Sequence, residues 1–224
     1  MTADAASTVY PPEHARAPEA IEAGRQLFAG PCDFVAGAPT ADALPPDTLP
    51  EVAFAGRSNV GKSSLLNALT GRTTLARVSN TPGRTRQLNF FSLSGRLMLV
   101  DLPGYGYAEA PKHEIARWSE LMRLYLKGRP SLRRTLLLVD ARHGLKPIDD
   151  PLMTMLDESA VSFQLVLTKS DKLAAKSLAQ RLETTATALK SHVAAHPAIH
   201  VTSAQAGTGI AELRAELATL ATAA

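Results

Sequence analysis

An α/β fold is what this sequence predicts: a mostly parallel six-stranded sheet, one antiparallel edge pair, and helices on both faces. Three observations carry that reading. Short apolar runs alternate with segments of helical periodicity, the pattern of a parallel sheet whose crossovers are helices. Two runs are separated only by a short turn at Ser94-Gly95, a hairpin signal that adds the antiparallel pair. A glycine-rich turn, GRSNVGKS, joins the first of these runs to the first helical segment.

The elements follow in order. EVAFA at 51–55 reads as a strand and KSSLLNALT at 62–70 as a helix. QLNFFSL at 87–93 and RLMLVD at 96–101 form the hairpin. Across 112–128, Ile115, Trp118, Met122 and Tyr125 recur at helical spacing and read as core packing rather than a ligand box. TLLLVD at 135–140 is an unbroken apolar run, suited to a strand covered on both faces. KPIDDPLMTMLDES opens with Pro147 and Asp149, which suit a helix start. FQLVLT at 163–168 and AIHVTS at 198–203 are further strands, and 172–195 and 208–222 are Ala- and Leu-rich helices. Residues 1–25, rich in Ala, Pro and small polar residues, read as a flexible N-terminal extension, with the domain spanning 26–224. Residues 26–50 mix apolar residues with turn formers and are expected to pack along the domain edge.

The composition narrows the class. The 224 residues are 45% hydrophobic and 20% charged, the make-up of a globular domain able to bury a core. No apolar run reaches bilayer-spanning length, so no membrane contact is expected. The N-terminus lacks the basic start and apolar block of a secretory signal, which points to the cytoplasm. The single cysteine, Cys32, excludes an internal disulfide and a Cys-rich metal site. Net charge is a mild +3, but its distribution is uneven. Arg72, Arg77, Arg84 and Arg86 form one basic cluster, and Arg123, Lys127, Arg129, Arg133 and Arg134 form another. Taken alone, each is more often a solvated face than an RNA contact. No heptad pattern argues for a dimer, so a monomer is expected.

Chemistry concentrates in a few stretches. GRSNVGKS fits G-x-x-x-x-G-K-[ST] between a strand and a helix, which predicts a P-loop nucleotide site. Gly56 and Gly61 let the backbone bend, so that the N–H groups of Arg57, Ser58, Asn59 and Val60 can converge on phosphate oxygens. Lys62 supplies a cation to the β- and γ-phosphates, and the Ser63 hydroxyl is the expected Mg²⁺ ligand. A chance glycine-rich turn is the alternative, and the correct flanks disfavour it.

The base is read from TKSD at 168–171, comprising Thr168, Lys169, Ser170 and Asp171. Asp171 would accept from the N1–H and exocyclic amine of guanine. Adenine would leave that carboxylate unpaired. The Lys169 stem would lie along the base plane. In VTSA, Val201, Thr202 and Ser203 end the next strand, where N–H groups around Ser203 and Ala204 could meet the guanine O6. Asp101 ends its own strand and is expected to hold Mg²⁺ through water. Leu102 and Pro103 then lead to Gly104, whose N–H would donate to the γ-phosphate and which would hinge the loop behind it. In SNTPGRTRQ at 79–87, Thr85 is the candidate second Mg²⁺ ligand, with Thr81 the alternative. Loops 79–87 and 104–112 would order with the γ-phosphate and relax after hydrolysis. Lys62, Thr85 and Gly104 are therefore the residues expected to act on the transferred phosphoryl group of GTP.

GRSNVGKSSLLN, TPGRT, DLPGYGYA, VDARHGLKPIDD and TKSD, in that order, resemble the EngB (YihA/YsxC) family, of the TrmE-Era-EngA-EngB-septin-like GTPase class. DLPGYGYA and DARH-x5-D are the family-specific parts, and the resemblance runs from about Phe34 to the C-terminus. It implies a Ras-like G domain and a bacterial GTP-binding protein of large-subunit ribosome assembly, needed for normal cell division and septation. It implies GTP or GDP bound by residues 56–63, by Gly83, Arg84, Thr85, Arg86 and Gln87, and by 101–104, 168–171 and 201–203. It also implies Mg²⁺ on Ser63 and Thr85. Arg86 stands where many relatives carry Gln. The implied partner is the large ribosomal subunit or its precursor, with rRNA contact. Arg142 and His143 are read as structural or partner contacts, not as an acid–base pair.

Tyr105 follows Gly104 where many small GTPases carry a water-positioning Gln, so slow hydrolysis is expected unless a partner or a cation completes the site. Potassium-activated GTPases resembling this chain use an Asn at the place of Asn59 to hold K⁺. An Asn chosen for turn geometry is the competing reading. Two other functions are weighed. A P-loop ATPase or kinase is disfavoured by Asp171. A GTP-gated binding protein acting on division-site partners, without a ribosomal target, is left open by the residues.

Overall fold

The structure, a computed structural model, describes residues 13–72, 75, 87–106 and 112–222, with the side chains of 112–118 excepted. A short 3-10 turn at Glu13–Arg16 precedes α1 (Pro18–Ala29) and β1 (Cys32–Ala38). Then come β2 (Glu51–Gly56), α2 (Lys62–Thr70), β3 (Leu88–Leu93), β4 (Leu97–Asp101) and α3 (Lys112–Gly128). The chain continues through β5 (Leu132–Asp140), α4 (Asp150–Glu158), β6 (Phe163–Thr168), α5 (Ala175–Leu189), β7 (His200–Val201) and α6 (Ile210–Ala218). The strands form one sheet in the order β1-β3-β4-β2-β5-β6-β7. β2 pairs parallel with β4 and β5, and β6 continues the parallel part to β7. β3 and β4 are the expected antiparallel pair. At their turn Ser94 and Gly95 have φ of 55° and 63°, and the Arg96 N–H donates to Leu93 O at 3.0 Å. Both central residues are left-handed, as in a primed turn, and Arg96 completes a three-residue loop before the Leu93–Leu97 pair.

The period of two along the central strands sorts their side chains into two cores. Ala53 and Ala55 of β2, Leu137 and Val139 of β5, and Leu165 and Leu167 of β6 face α3, α4 and α5. Val52, Phe54, Leu136, Leu138 and Val166 face α1, α2 and α6. Met122 and Tyr125 are buried in the first core, as their spacing predicted. Ile115 and Trp118 lie outside the described side chains. Among the described residues no helix is long and apolar enough to cross a membrane.

Two segments differ from expectation. The sheet has seven strands, because β1 pairs antiparallel with β3 outside the predicted hairpin. Its side chains do not alternate in burial, and its register shifts between Phe34 and Ala36, so no period of two marks it. The second segment is the expected flexible extension. From Pro18 onward it is α1, lying against α6 with Leu27 and Phe28 buried. Gly24 makes the approach possible, since a Cβ there would come within 2.6 Å of the Ala215 nitrogen. The expected boundary near residue 25 therefore falls inside a packed helix. The last two helices are also shorter than read, with α5 ending at Leu189 and α6 at Ala218.

Candidate nucleotide site

The parallel strands β2, β4, β5, β6 and β7 all run the same way, so their C-terminal ends collect Gly56, Asp101, Asp140, Thr168 and Val201 at one edge of the sheet. That edge is where open α/β sheets bind ligands. The cradle begins as β2 ends. Asn59 and Gly61 both have positive φ, of 62° and 104°, and the second value excludes a side chain without strain. α2 then starts at Lys62 with no side-chain cap at its N-terminus. Its first-turn N–H groups and its positive dipole end face the cradle. Lys62 forms an ion pair with Asp101, which brings the expected phosphate cation and the expected metal carboxylate to the same place.

The base-reading end is held from several sides. The Thr168 hydroxyl donates to Val60 O at 2.6 Å, tying β6 to the cradle. Lys169 has a φ of 56°, and its Nζ donates to Asn59 O at 2.6 Å. Of the four described non-glycine residues with positive φ, Asn59 and Lys169 are thus bonded to each other, and strain of this kind gathers at functional sites. The Ser203 hydroxyl donates to Asp171 Oδ1 at 2.6 Å. That bond, and then Lys172 beside it, hold the Asp171 carboxyl below its ordinary range, so it stays an acceptor at neutral pH.

Several expected contacts are reassigned. The Arg57 guanidinium turns away from the cradle. It donates to Gly144 O at 2.9 Å and lies 3.4 Å from Asp149, leaving only its backbone for phosphate. Val60, Leu102 and Val201 are buried in the apolar cores, so they too can contribute only backbone. The Ser203 N–H donates to Thr208 O, which leaves Ala204 as the candidate donor to O6. The Gln87 amide donates to Asn89 and lies over Gly37 of β1, rather than reaching the cradle. Gly83, Arg84, Thr85 and Arg86, with Thr81, lie outside the described residues, as do 107–111 of the second expected loop.

Two carboxylates that hold this edge together were not among the predicted site residues. Asp140 pairs with Lys169 at 3.0 Å and with Arg142 at 2.7 Å. Burial alone would raise its carboxyl, but the bonds from Arg142 and Lys169 hold it well below the ordinary range. It thereby fixes Lys169, the lysine expected along the base. The signal was the one used for Asp101, an acid closing an apolar strand. Arg142 is accordingly a structural partner, as its reading anticipated. The other missed carboxylate is Asp149, the last residue of DARH-x5-D. It accepts from the buried Tyr105 hydroxyl at 2.7 Å. Tyr105 therefore points into the protein, not toward a water at the γ-phosphate.

Of the second basic cluster, Arg129 and Arg134 are consumed internally by Glu51 and Glu216. Arg123 is paired with Glu120 in its own helix.

Known proteins are similar to this chain in sequence and in fold. The family model described as "50S ribosome-binding GTPase" matches residues 51–169. A relative from Rhodospirillum rubrum, named "Probable GTP-binding protein EngB", is 58% identical over 92% of this chain and 91% of its own. One of the same name from Jannaschia sp. is 54% identical over 96% of this chain and 100% of its own. The crystal structure of a probable GTP-binding protein engB aligns with a TM-score of 0.56 at 24% identity, covering 76% of this chain and 97% of the other. Era, in complex with MgGDPNP and a 16S ribosomal RNA fragment, aligns at 0.61 and 24%, covering 79% and 58%. The two structures establish the Ras-like fold alone. With more than half its sequence identical to these relatives across nearly their whole length, the chain belongs to the EngB family of GTP-binding proteins and is a GTPase.

Proposed function

We propose that this GTPase is a slow nucleotide switch in assembly of the large ribosomal subunit, needed for normal cell division and septation. One observation carries the kinetic part. The Tyr105 hydroxyl is bound to Asp149 inside the protein, so this side chain cannot orient the attacking water. Hydrolysis of GTP depends on positioning and charge neutralisation, and a site lacking its own positioning group is slow until a partner supplies one.

The residues divide the work. The cradle backbone of 56–61 and the open end of α2 hold the phosphates, and Lys62 neutralises charge on the β- and γ-phosphates. Asp171, oriented by Ser203, selects guanine, which supports a GTPase over an ATPase or kinase. Mg²⁺ fits the donors present. Ser63 and Asp101 offer hard oxygen ligands beside the cradle, while among the described residues no cluster of three or more His, Cys, Asp or Glu could hold a metal by itself. Ser63 and Thr85 would hold it, with Asp101 reaching it through water, and when bound it would supply neutralisation of the charge that develops on the phosphates. Gly83, Arg84, Arg86 and Gln87 belong to the loop that would close over it. K⁺ beside Asn59 is a further aid. The positive φ of Asn59 equally supports selection for loop shape.

The partner proposed is the large ribosomal subunit or its precursor, met through rRNA by a monomeric cytoplasmic protein. The family description, the Era–RNA likeness in fold and the exposed Arg133 support that choice. The test is GTP turnover by the purified protein in K⁺ or Na⁺, with and without large subunits. Stimulation by subunits, weakening steeply with salt, is the expected result. Equal slow rates under all conditions would reject the ribosomal target. Equal rates in the two salts, or K⁺ stimulation retained in Asn59→Ala, would reject Asn59 as the ligand.

A further inference from the structure

We infer that Asp149 is a positioning residue for the γ-phosphate end of the site: it clamps Tyr105 and Arg57, and so fixes Gly104 against the cradle in advance of GTP. The inference rests on the site reading proposed above and deepens it.

Asp149 is fully buried, 0% exposed, and its two oxygens are spent on three elements. Oδ1 accepts from the Tyr105 hydroxyl at 2.7 Å and lies 3.4 Å from Arg57 Nε. Oδ2 accepts from the Lys146 N–H at 2.8 Å. Arg57 is anchored a second time, to Gly144 O at 2.9 Å. Asp149 stands at the start of α4, where an Asp ordinarily caps the helix through its side chain. It makes no such bond here. The carboxylate serves the neighbouring loops instead, so a helix-start role does not account for it.

The two clamped residues belong to the two loops that meet the phosphates. Arg57 lies in the cradle, and Tyr105 directly follows Gly104. Their backbones are also joined. The Tyr105 N–H donates to Gly56 O at 3.3 Å, and the Ser58 N–H donates to Tyr105 O at 3.1 Å. Gly104 is thereby pressed onto the cradle, where a Cβ would come within 3.1 Å of the Ser58 backbone. Tyr105 is held by its N–H, its carbonyl and its hydroxyl at once. Gly106, which follows, is exposed and has a φ of 78°. Burial, and then the adjacent Asp149 charge, push the Tyr105 pKa up, so the hydroxyl remains a donor throughout the working range of pH.

GDP has no group for Gly104 to touch, and GTP has one. The clamp should therefore matter to GTP alone, through pre-organisation. The experiment compares affinities for a fluorescent GDP and a fluorescent non-hydrolysable GTP analogue, using the full chain. The variants are Tyr105→Phe, Asp149→Asn and the double variant. Each single variant should lower the GTP-to-GDP affinity ratio by about five- to tenfold, the worth of one such bond. The double variant should be no worse than the more damaging single, because both break one unit. Tyr105→Phe keeps the ring and its packing, so it reads the clamp even where Asp149→Asn folds poorly. Equal losses for both nucleotides would mean a merely structural role and overturn the inference, as would an unchanged ratio. A loss in Tyr105→Phe with none in a folded Asp149→Asn would also overturn it, assigning the hydroxyl a direct role. Lys62→Ala serves as the control on the site. Retained binding of both nucleotides there would sink the site reading and the clamp together, whereas an unchanged ratio with nucleotide lost in Lys62→Ala would sink the clamp alone.

Discussion

The two ends of the parallel strands are both rich in charge, and they spend it in opposite ways. At the N-terminal ends, Glu51 is 1% exposed and takes the Tyr125 hydroxyl at 2.9 Å and Arg129 at 2.6 Å. Nearby, Arg134 binds Gln164 at 2.9 Å and pairs with Glu216, which His14 also reaches at 2.5 Å. These charges are paired within the protein, although the buried Arg134 Nε has no partner among the described residues. At the C-terminal ends the charges stay partly open to solvent and are bonded to loops, as with Lys169 on Asn59 O and Asp171 on Ser203. Charge density therefore does not locate the site. What separates the ends is how far the charges are withdrawn from solvent: Glu51, Arg129, Arg134 and Glu216 are largely buried, whereas Lys169, Asp171 and Lys172 stay partly exposed. Buried, paired charges hold elements together, and partly exposed charges at loop ends remain available to a ligand.

That contrast can be broken by removing one carboxylate from each end. Asp171→Ala should give the largest effect. The loss of two charge-assisted bonds to guanine, each about 1.5–3 kcal/mol, predicts a fall in GTP affinity on the order of 10²–10⁴-fold. Its melting temperature should move by less than about 2 °C, since a carboxylate at the surface contributes little to folding. Nucleotide competition and a thermal scan read the two outcomes, and a large loss of stability would show the ends to be alike. Glu51→Ala should do the reverse. It strands Arg129 in the interior and should cost about 3–5 kcal/mol in a denaturant titration. Preference for guanine over adenine should not change, and a shift in that preference would dissolve the distinction.

The smallest effect sharpens the comparison through pH. His200 is fully buried at the start of β7, and neither ring nitrogen has a partner. Burial pushes its pKa from 6.5 down to about 4. Glu216, His196, Arg134 and His14 are the charged groups that act on it. Between pH of about 4 and 6.5 the unfolded chain binds a proton that the folded chain refuses. Stability should therefore rise with pH across that window, by about 3 kcal/mol at most, and level off above it as far as this group is concerned. Asp140 and Glu216, whose carboxyls burial would raise but ion pairs hold low, lose their contribution only as pH falls below the ordinary carboxylate range, at or below the acid edge of this window. Denaturation midpoints from pH 4 to 7 should lose part of their slope in His200→Leu above pH 5, the remainder belonging to His196, whose pKa burial also lowers. An unchanged slope would place its origin elsewhere.

How much was legible depended on how local each feature is. The cradle, TKSD and the strand-ending Asp101 were readable because each is a contiguous stretch whose turn residues and flanking apolar runs carry the signal. β2 and β5 declared themselves as apolar runs because they are covered on both faces. β1 did not, because an edge strand with a register shift and three exposed residues in a row shows no period. The first part of α1 was taken for an extension because its small Ala residues mark no strong apolar stripe and its Pro and Gly disfavour helix, while its stability comes from packing against α6.

By itself, then, the amino-acid order determined an α/β GTPase fold, and it marked the glycine-rich turn and the TKSD carboxylate for which phosphate and guanine binding are proposed. Each of these is encoded by neighbours along the chain, where backbone conformation and side-chain type act together over a few residues. The direction of Tyr105 and the fate of the basic residues were decided only in the folded protein. Asp149 stands 44 positions from Tyr105, and Glu51 stands 78 from Arg129. No local pattern states which charges will meet at such separations. That choice is made when the strands assemble and bury them, because a charge removed from water must find its partner within the new interior.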